Sequence, residues 1–265
     1  MNQKTFMIYL LGAIIIWVIL SVIFGIYDLE ISIFLVNEES SWGNFGAYYG
    51  EYPGYAFIAI GLSAYIGGYI KNLKFQKIPG YLAILYGIIM LSIALLNLDY
   101  RRIIEYLLII ISVLIFIVIN WNTDLIKYRK ISGIISFLAI INPLLLVQLV
   151  KIFWGRIRFR DLLPDYSNFT PWFIPQGITG NSSFPSGHTA MGWMFLPLLI
   201  AVREREWKDP LKLVIVILVL GWGTFVGLSR IIVGAHYASD VLFSTGVGVV
   251  VSLLLYYRFY LRKND

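Results

Sequence analysis

The feature that most constrains this chain is a series of long apolar segments separated by short polar ones. A helix needs about 20 apolar residues to cross a membrane, and eight segments approach or reach that length. They lie at 5–27, 54–70, 79–97, 103–120, 131–150, 186–202, 211–229 and 239–257. Apolar residues make up 59% of the 265 residues and charged residues only 14%. That imbalance excludes a soluble enzyme or a disordered chain, and it predicts an all-α polytopic transmembrane helical bundle of about eight spans.

The organisation along the chain is simple. There is no internal repeat and no low-complexity linker, so residues 1–265 are expected to form a single integral membrane domain. The first apolar run is too long for a signal peptide and is predicted to stay as an anchor. The chain has no cysteine, which excludes disulfides and thiolate chemistry.

The basic residues predict the orientation of the spans. Loops on the cytoplasmic side carry an excess of Lys and Arg. Eight crossings place fourteen of the 21 basic residues, Lys263 among them, on the side of both termini, and the acidic loop 28–53 on the other side. We therefore expect both termini in the cytoplasm and a plasma-membrane location. The net charge of +6 is scattered along the chain, which argues against a nucleic-acid partner.

Four of the seven basic residues on the outer side lie between 151 and 160, against the topological rule. Lys151 and Arg158 are seven residues apart, which on a helix places them on one face and lets both reach a single anion. Arg156 would point elsewhere, and we expect it to bind lipid headgroups at the interface.

Two further segments fall on the same outer face. Pro185-Ser186-Gly187-His188 opens the sixth span, where backbone N–H groups suit an anion and the imidazole can donate a proton. His236 and Asp240 enter the eighth span four residues apart, a helical spacing at which the carboxylate fixes the tautomer of the ring.

The combined pattern K-x6-R, P-S-G-H and S-R-x5-H-x3-D resembles the signature of the type 2 phosphatidic acid phosphatase (lipid phosphate phosphatase) superfamily. The resemblance covers 131–257, so residues 1–130 would be additional N-terminal transmembrane helices. Both histidines of the chain lie inside these motifs. One departure is Phe159, which stands where the family usually has proline after Arg158.

The resemblance implies a role for each motif residue. His236 would be a nucleophile that forms a phosphohistidine, Asp240 would orient it, and His188 would be the general acid. The residues implied to hold the phosphoryl oxygens are Lys151, Arg158, Ser186, Gly187 and Arg230. No metal and no other cofactor would be needed.

Several alternatives stay open at this level. The substrate would be a lipid phosphate such as phosphatidate, phosphatidylglycerol phosphate or a polyprenyl diphosphate. Transfer of the phosphoryl group to a lipid or sugar acceptor fits the same motifs, and transport of an anionic lipid is a third possibility. The aromatic loop 159–184 is either a lid or an interfacial belt. The oligomeric state is open.

Overall fold

The computed structural model describes residues 3–262 and confirms the predicted all-helical fold, with no strand among those residues. Lys263, which contributes to the predicted cytoplasmic charge, lies outside the described residues. The helices are α1 (Gln3–Leu35), α2 (Ser41–Tyr49), α3 (Tyr52–Gly67), α4 (Ile78–Leu96), α5 (Tyr100–Ile119), α6 (Arg129–Ala139), α7 (Val147–Trp154), α8 (Gly187–Gly192), α9 (Leu196–Ala201), α10 (Pro210–Ile232) and α11 (Ala238–Tyr256).

Within residues 3–262, six helical segments are long and apolar enough to cross a membrane. They are Gln3–Leu35, Ile78–Leu96, Tyr100–Ile119, Leu125–Asp161, Pro210–Ile232 and Ala238–Leu261. The other two predicted spans are helical but shorter than a full crossing. Helix α3 has 16 residues, about 24 Å at 1.5 Å per residue, and the Gly187–Ala201 segment is interrupted by a 3₁₀ turn.

The outer helices present apolar side chains to their surroundings. Ile16 on α1 is 61% exposed and Leu96 on α4 is 85% exposed, and similar side chains continue along α5 and α10. A soluble protein rarely exposes so much contiguous apolar surface, whereas a lipid bilayer covers it without cost. The protein is therefore a multi-span membrane protein.

The short helices lie inside this outer layer. Helix α3 packs against α4, α5 and α6, and α8 packs against α10 and α11. Helix α1 runs along α11, and the surface helix α2 lies on α10. Helices α1, α2 and α3 therefore pack directly on the predicted 131–257 core, and α4 and α5 pack on α3.

A π-helical stretch, Ile140–Leu146, joins α6 to α7. Pro143 lies inside it and lacks the N–H that a regular helix would use, which accounts for the wider local turn. The stretch keeps α6 and α7 continuous, so Lys151 near the end of α7 reaches the same end of the bundle as the start of α11.

The prediction that residues 28–53 form one acidic loop is wrong, because most of them are helical. Helix α1 continues to Leu35, so Asp28 lies within a helix and is fully buried. Asp28 can be buried because a distant part of the chain supplies a partner of opposite charge within the candidate site.

Candidate active site

Three segments that are far apart in sequence meet at one end of the bundle. Lys151 comes from the last turn of α7, Ser186 and His188 from the start of α8, and Arg230 and His236 from the connection between α10 and α11. The charges of Arg158 and Arg230 both act on Lys151, so the three cations share one region. Every residue assigned to the site from sequence is found in this cluster or directly beside it.

The first motif does not lie on one helix, so the predicted helical face is wrong. Helix α7 ends at Trp154, and Gly155 follows in the left-handed region with φ 57°. A Cβ at Gly155 would lie 2.2 Å from the Gly177 carbonyl oxygen, so only glycine fits. The chain turns here, and Arg158 reaches the site from extended backbone.

Contrary to the prediction, Arg156 does not face lipid headgroups. The turn at Gly155 directs its side chain into the protein, where it is 0% exposed. Nη1 lies 2.6 Å from Asp240 Oδ1 and Nη2 lies 2.9 Å from Asp28 Oδ2. Its planar guanidinium also lies over the ring of Tyr237, 3.9 Å from the centroid. Arg156 is a buried bridge between two carboxylates.

His236 precedes α11 instead of lying on it, and Asp240 occupies the first turn of that helix. The two side chains nevertheless approach, with His236 Nδ1 3.6 Å from Asp240 Oδ2. This separation is longer than a hydrogen bond and is that of a close charge–dipole contact. Burial lowers the pKa of His236 to about 3, against the opposing attraction of Asp240, so the ring is neutral at ordinary pH.

Asp240 is held from several directions. Besides Arg156, it accepts hydrogen bonds from the Ser183 hydroxyl at 2.6 Å and from the Tyr237 backbone N–H at 3.0 Å. Asp28 accepts from the Ser239 backbone N–H at 2.9 Å and from the Ser239 hydroxyl. These bonds fix the position of the carboxylate that faces His236.

The second motif forms a compact turn beside this network. The hydroxyl oxygen of Ser186 accepts hydrogen bonds from the N–H and the hydroxyl of Thr189, which leaves the Ser186 hydrogen able to donate. A Cβ at Gly187 would lie 3.6 Å from Lys151 Nζ. The backbone at Gly187 is therefore bare on the side that faces the lysine ammonium.

His188 contacts a residue that sequence reasoning did not select. Its Nδ1 lies 2.7 Å from Glu51 Oε1, and its Nε2 lies 3.1 Å from the carbonyl oxygen of Ala47. Arg230 Nη1 donates to the same carbonyl at 3.3 Å, while Arg230 Nε is buried without a hydrogen-bond partner. An unpartnered guanidinium N–H at this position suits an anion.

The aromatic loop 159–184 is anchored to the helices. Trp172 donates to the Ser21 carbonyl of α1 and stacks on Phe184, which is 0% exposed. Phe159, the departure from the expected proline, stacks on Tyr166 and meets the edge of Tyr237. It therefore packs the loop against the residue that covers Arg156.

Four polar residues of the site were missed from sequence, namely Asp28, Glu51, Arg156 and Ser183. Arg156 lies inside the first motif and Ser183 lies two residues before the second, and these positions were the available signal. Nothing local distinguishes Asp28 or Glu51 from neighbouring acids, because their partners lie 128 and 137 residues away along the chain.

A family model described as the PAP2 superfamily matches residues 132–264, half of the chain. The chain belongs to the PAP2 superfamily. The match contains all three motifs and the buried Arg156, whereas Asp28 and Glu51 lie outside it.

Curated relatives of this PAP2 member carry phosphatase names. It is 35% identical over 147 residues to a lipid A 4'-phosphatase of Francisella tularensis subsp. novicida, covering 53% of this chain and 63% of the relative. It is 33% identical to a lipid A 1-phosphatase of Rhizobium johnstonii, covering 48% of each. It is 28% identical to the undecaprenyl-diphosphatase BcrC of Bacillus subtilis, covering 59% of this chain and 68% of the relative.

The matched region thus spans about half to two thirds of the length of these relatives. No solved structure gives a significant match to the chain.

Proposed function

We propose that this protein dephosphorylates a membrane lipid phosphate or diphosphate without a metal ion. The observation that supports the proposal most strongly is the convergence of both histidines with three cations at one end of the bundle. The neutral His236 is suited to attack phosphorus, and Lys151, Arg158 and Arg230 are suited to the charge of the phosphoryl group.

In the first step, His236 attacks through Nε2, because Nδ1 faces Asp240. An N–P bond forms while the P–O bond to the leaving group breaks, and His188 gives a proton to the departing oxygen. Asp240 offsets the positive charge that develops on the imidazole. The products of this step are a phosphohistidine and a lipid alcohol or lipid monophosphate.

In the second step, water attacks phosphorus and the N–P bond breaks. His188, now neutral, takes a proton from the water, and inorganic phosphate leaves. Lys151, Arg158 and Arg230, with the Ser186 hydroxyl and the Gly187 N–H, would hold the non-bridging oxygens through both steps.

A groove of about 350 Å³ supports a lipid substrate. It runs between α3 and the continuous helical segment formed by α6 and α7. Glu51 and Gly187 line the groove next to the candidate site. Ile58, Leu62 and Leu144 line it further along. Apolar walls that continue from a cationic site suit a molecule with a phosphate head and an insoluble tail. The names of the relatives add lipid A phosphates and undecaprenyl diphosphate to the candidate substrates.

We also propose the sidedness and the domain organisation. By the predicted crossings, the acidic residues of the 28–53 region fall on the side of the site, and fourteen of the 21 Lys and Arg residues fall on the opposite side. By the positive-inside rule, the active site would be extracytoplasmic in the plasma membrane, with both termini cytoplasmic. Residues 1–130 would join the 131–257 core in a single integral membrane domain.

The test is phosphate release by detergent-solubilised protein from phosphatidate, phosphatidylglycerol phosphate, undecaprenyl diphosphate and lipid A. We expect release from at least one of these in EDTA, and a fall of about 10³-fold or more in His236→Ala. A strict requirement for added divalent metal, or undiminished release by His236→Ala, would contradict the proposal.

A second outcome of the same test concerns the acceptor. Labelled phosphate in a lipid or sugar product instead of free phosphate would assign a phosphotransferase. Transport of a lipid by His236→Ala without any phosphate release would assign a transporter.

A further inference from the structure

The site contains a second pair of a histidine and a carboxylate, formed by His188 and Glu51. The contact between Nδ1 and Oε1 is 2.7 Å, and both side chains are largely enclosed. The other carboxylate oxygen, Oε2, accepts a hydrogen bond from the Tyr55 hydroxyl at 3.1 Å. The carboxylate is therefore held on both sides, which is unusual for a surface acid.

The packing of α2 on α10 carries Glu51 to this position. Gly43 and Gly46 face α10, and a Cβ at Gly46 would lie 2.5 Å from Ser229 Cβ. This close approach brings the end of α2 over Arg230 and His188, and Glu51 follows at the junction with α3. Glu51 therefore enters the site from outside the region that matches the family model.

The hydrogen-bond geometry of His188 suits a doubly protonated ring. Its two nitrogens face two acceptors, the Glu51 carboxylate and the Ala47 carbonyl. A neutral imidazole has one N–H and satisfies one of them, whereas an imidazolium satisfies both. A doubly protonated ring is the form that a general acid must have before the leaving group departs.

The charges around His188 determine how much the doubly protonated ring depends on Glu51. Burial and the cations Arg230 and Lys151 lower the pKa of His188 below its ordinary value, and Glu51 is the carboxylate that opposes them. Burial alone would raise the pKa of Glu51, but the hydrogen bond and charge of His188, the hydrogen bond from Tyr55 and the charge of Arg230 together lower it overall. Glu51 is therefore ionised at neutral pH and available as a charged acceptor.

We propose that Glu51 is a positioning residue for His188, one that orients the ring through Nδ1 and stabilises the imidazolium whose Nε2 proton passes to the leaving oxygen. This inference rests on the proposed phosphatase function and extends it to a residue outside the three motifs. In the step itself, Nε2–H turns from the Ala47 carbonyl to the leaving oxygen, the Nε2–H bond breaks as that oxygen takes the proton, and the neutral ring keeps its Nδ1–H bond to Glu51.

The kinetic test compares two leaving groups in Glu51→Gln. Release of a lipid alkoxide needs a proton, whereas p-nitrophenolate leaves without one. We expect kcat on phosphatidate to fall about 10- to 100-fold and kcat on p-nitrophenyl phosphate to change less than about threefold. The exposed Glu39→Gln in the same region is the matched control and should leave both rates unchanged. Equal losses on both substrates, or no loss on either, would overturn the proposal.

A second measurement does not depend on activity. The chain has two histidines, so His236→Ala leaves His188 as its only imidazole. In that background, a ¹⁵N NMR titration of the ring follows His188 alone in detergent. We expect Glu51→Gln to lower its midpoint by about one pH unit or more, and Glu51→Asp to retain part of the shift. An unchanged midpoint would overturn the proposal even if no phosphatase substrate were found.

Discussion

The two histidine–carboxylate pairs of the site are built differently. His236 and Asp240 are four residues apart and almost fully buried, and Asp240 has a charged partner in Arg156. His188 and Glu51 come from opposite halves of the chain and keep about a quarter and a fifth of their side-chain surface exposed. Burial lowers the pKa of both rings, but at the second pair the Glu51 carboxylate lies within hydrogen-bond distance of the ring and opposes that shift. One site thus provides both a nucleophile and an acid.

The largest expected effect comes from breaking the buried pair. Asp240→Asn removes the charge that faces His236 and leaves Arg156 with only Asp28, so we expect activity to fall about 10³- to 10⁴-fold. Phosphate release from the best lipid substrate measures this loss. Glu51→Gln, assayed beside it, should lose far less, and equal losses would mean that the two pairs act alike.

The second prediction separates the two arginines of the first motif. Arg156→Met leaves Asp28 and Asp240 buried without a cation, so we expect the free energy of unfolding in detergent to drop by about 3–5 kcal/mol. Arg158→Met removes a cation that donates to the Ser182 hydroxyl, and it should cost less than about 1 kcal/mol. Activity should fall in both variants. Comparable unfolding free energies would contradict the assignment of Arg156 as the internal bridge.

The third prediction concerns pH. Because burial lowers the pKa of His236 to about 3, the nucleophile stays neutral as pH falls through the ordinary histidine value of about 6.5. Deprotonation of His188, whose pKa burial lowers below the ordinary value, removes the general acid as pH rises. We expect a bell-shaped profile of kcat on a lipid phosphate, with its acid limb well below pH 6. The alkaline limb should be weak with p-nitrophenyl phosphate. An acid limb near pH 6.5 would show that burial does not lower the pKa of His236.

The smallest expected effect comes from adding one methyl group at Gly187, next to His188. In Gly187→Ala, the new Cβ would lie 3.6 Å from Lys151 Nζ, an ordinary contact that the fold accommodates. The methyl takes space beside the ammonium that a phosphoryl oxygen would use, so we expect kcat/KM to fall about tenfold with little change in stability. Gly221→Ala, where nothing lies within 4 Å, is the control. Full activity of Gly187→Ala would remove Gly187 from the proposed phosphate contacts.

The amino-acid sequence is sufficient to predict the helical membrane fold, because a run of about 20 apolar residues has few other stable states in water or lipid. It also determined the three motifs, because each is local and carries its chemistry in residue type. The family match at 132–264 covers the same region. What spacing did not reveal was where the helices end, and the turn at Gly155 is the clearest example.

The pairing of the buried charges, in contrast, is visible only in the folded protein. Arg156 looked like one of several interfacial cations, and Asp28 and Glu51 looked like members of an acidic loop. Their partners lie 84 to 137 residues away and become neighbours only when α1 packs on α11 and α2 packs on α10. Because these charges are buried, each of them needs a partner of opposite sign. No local sequence pattern encodes a partner so distant along the chain.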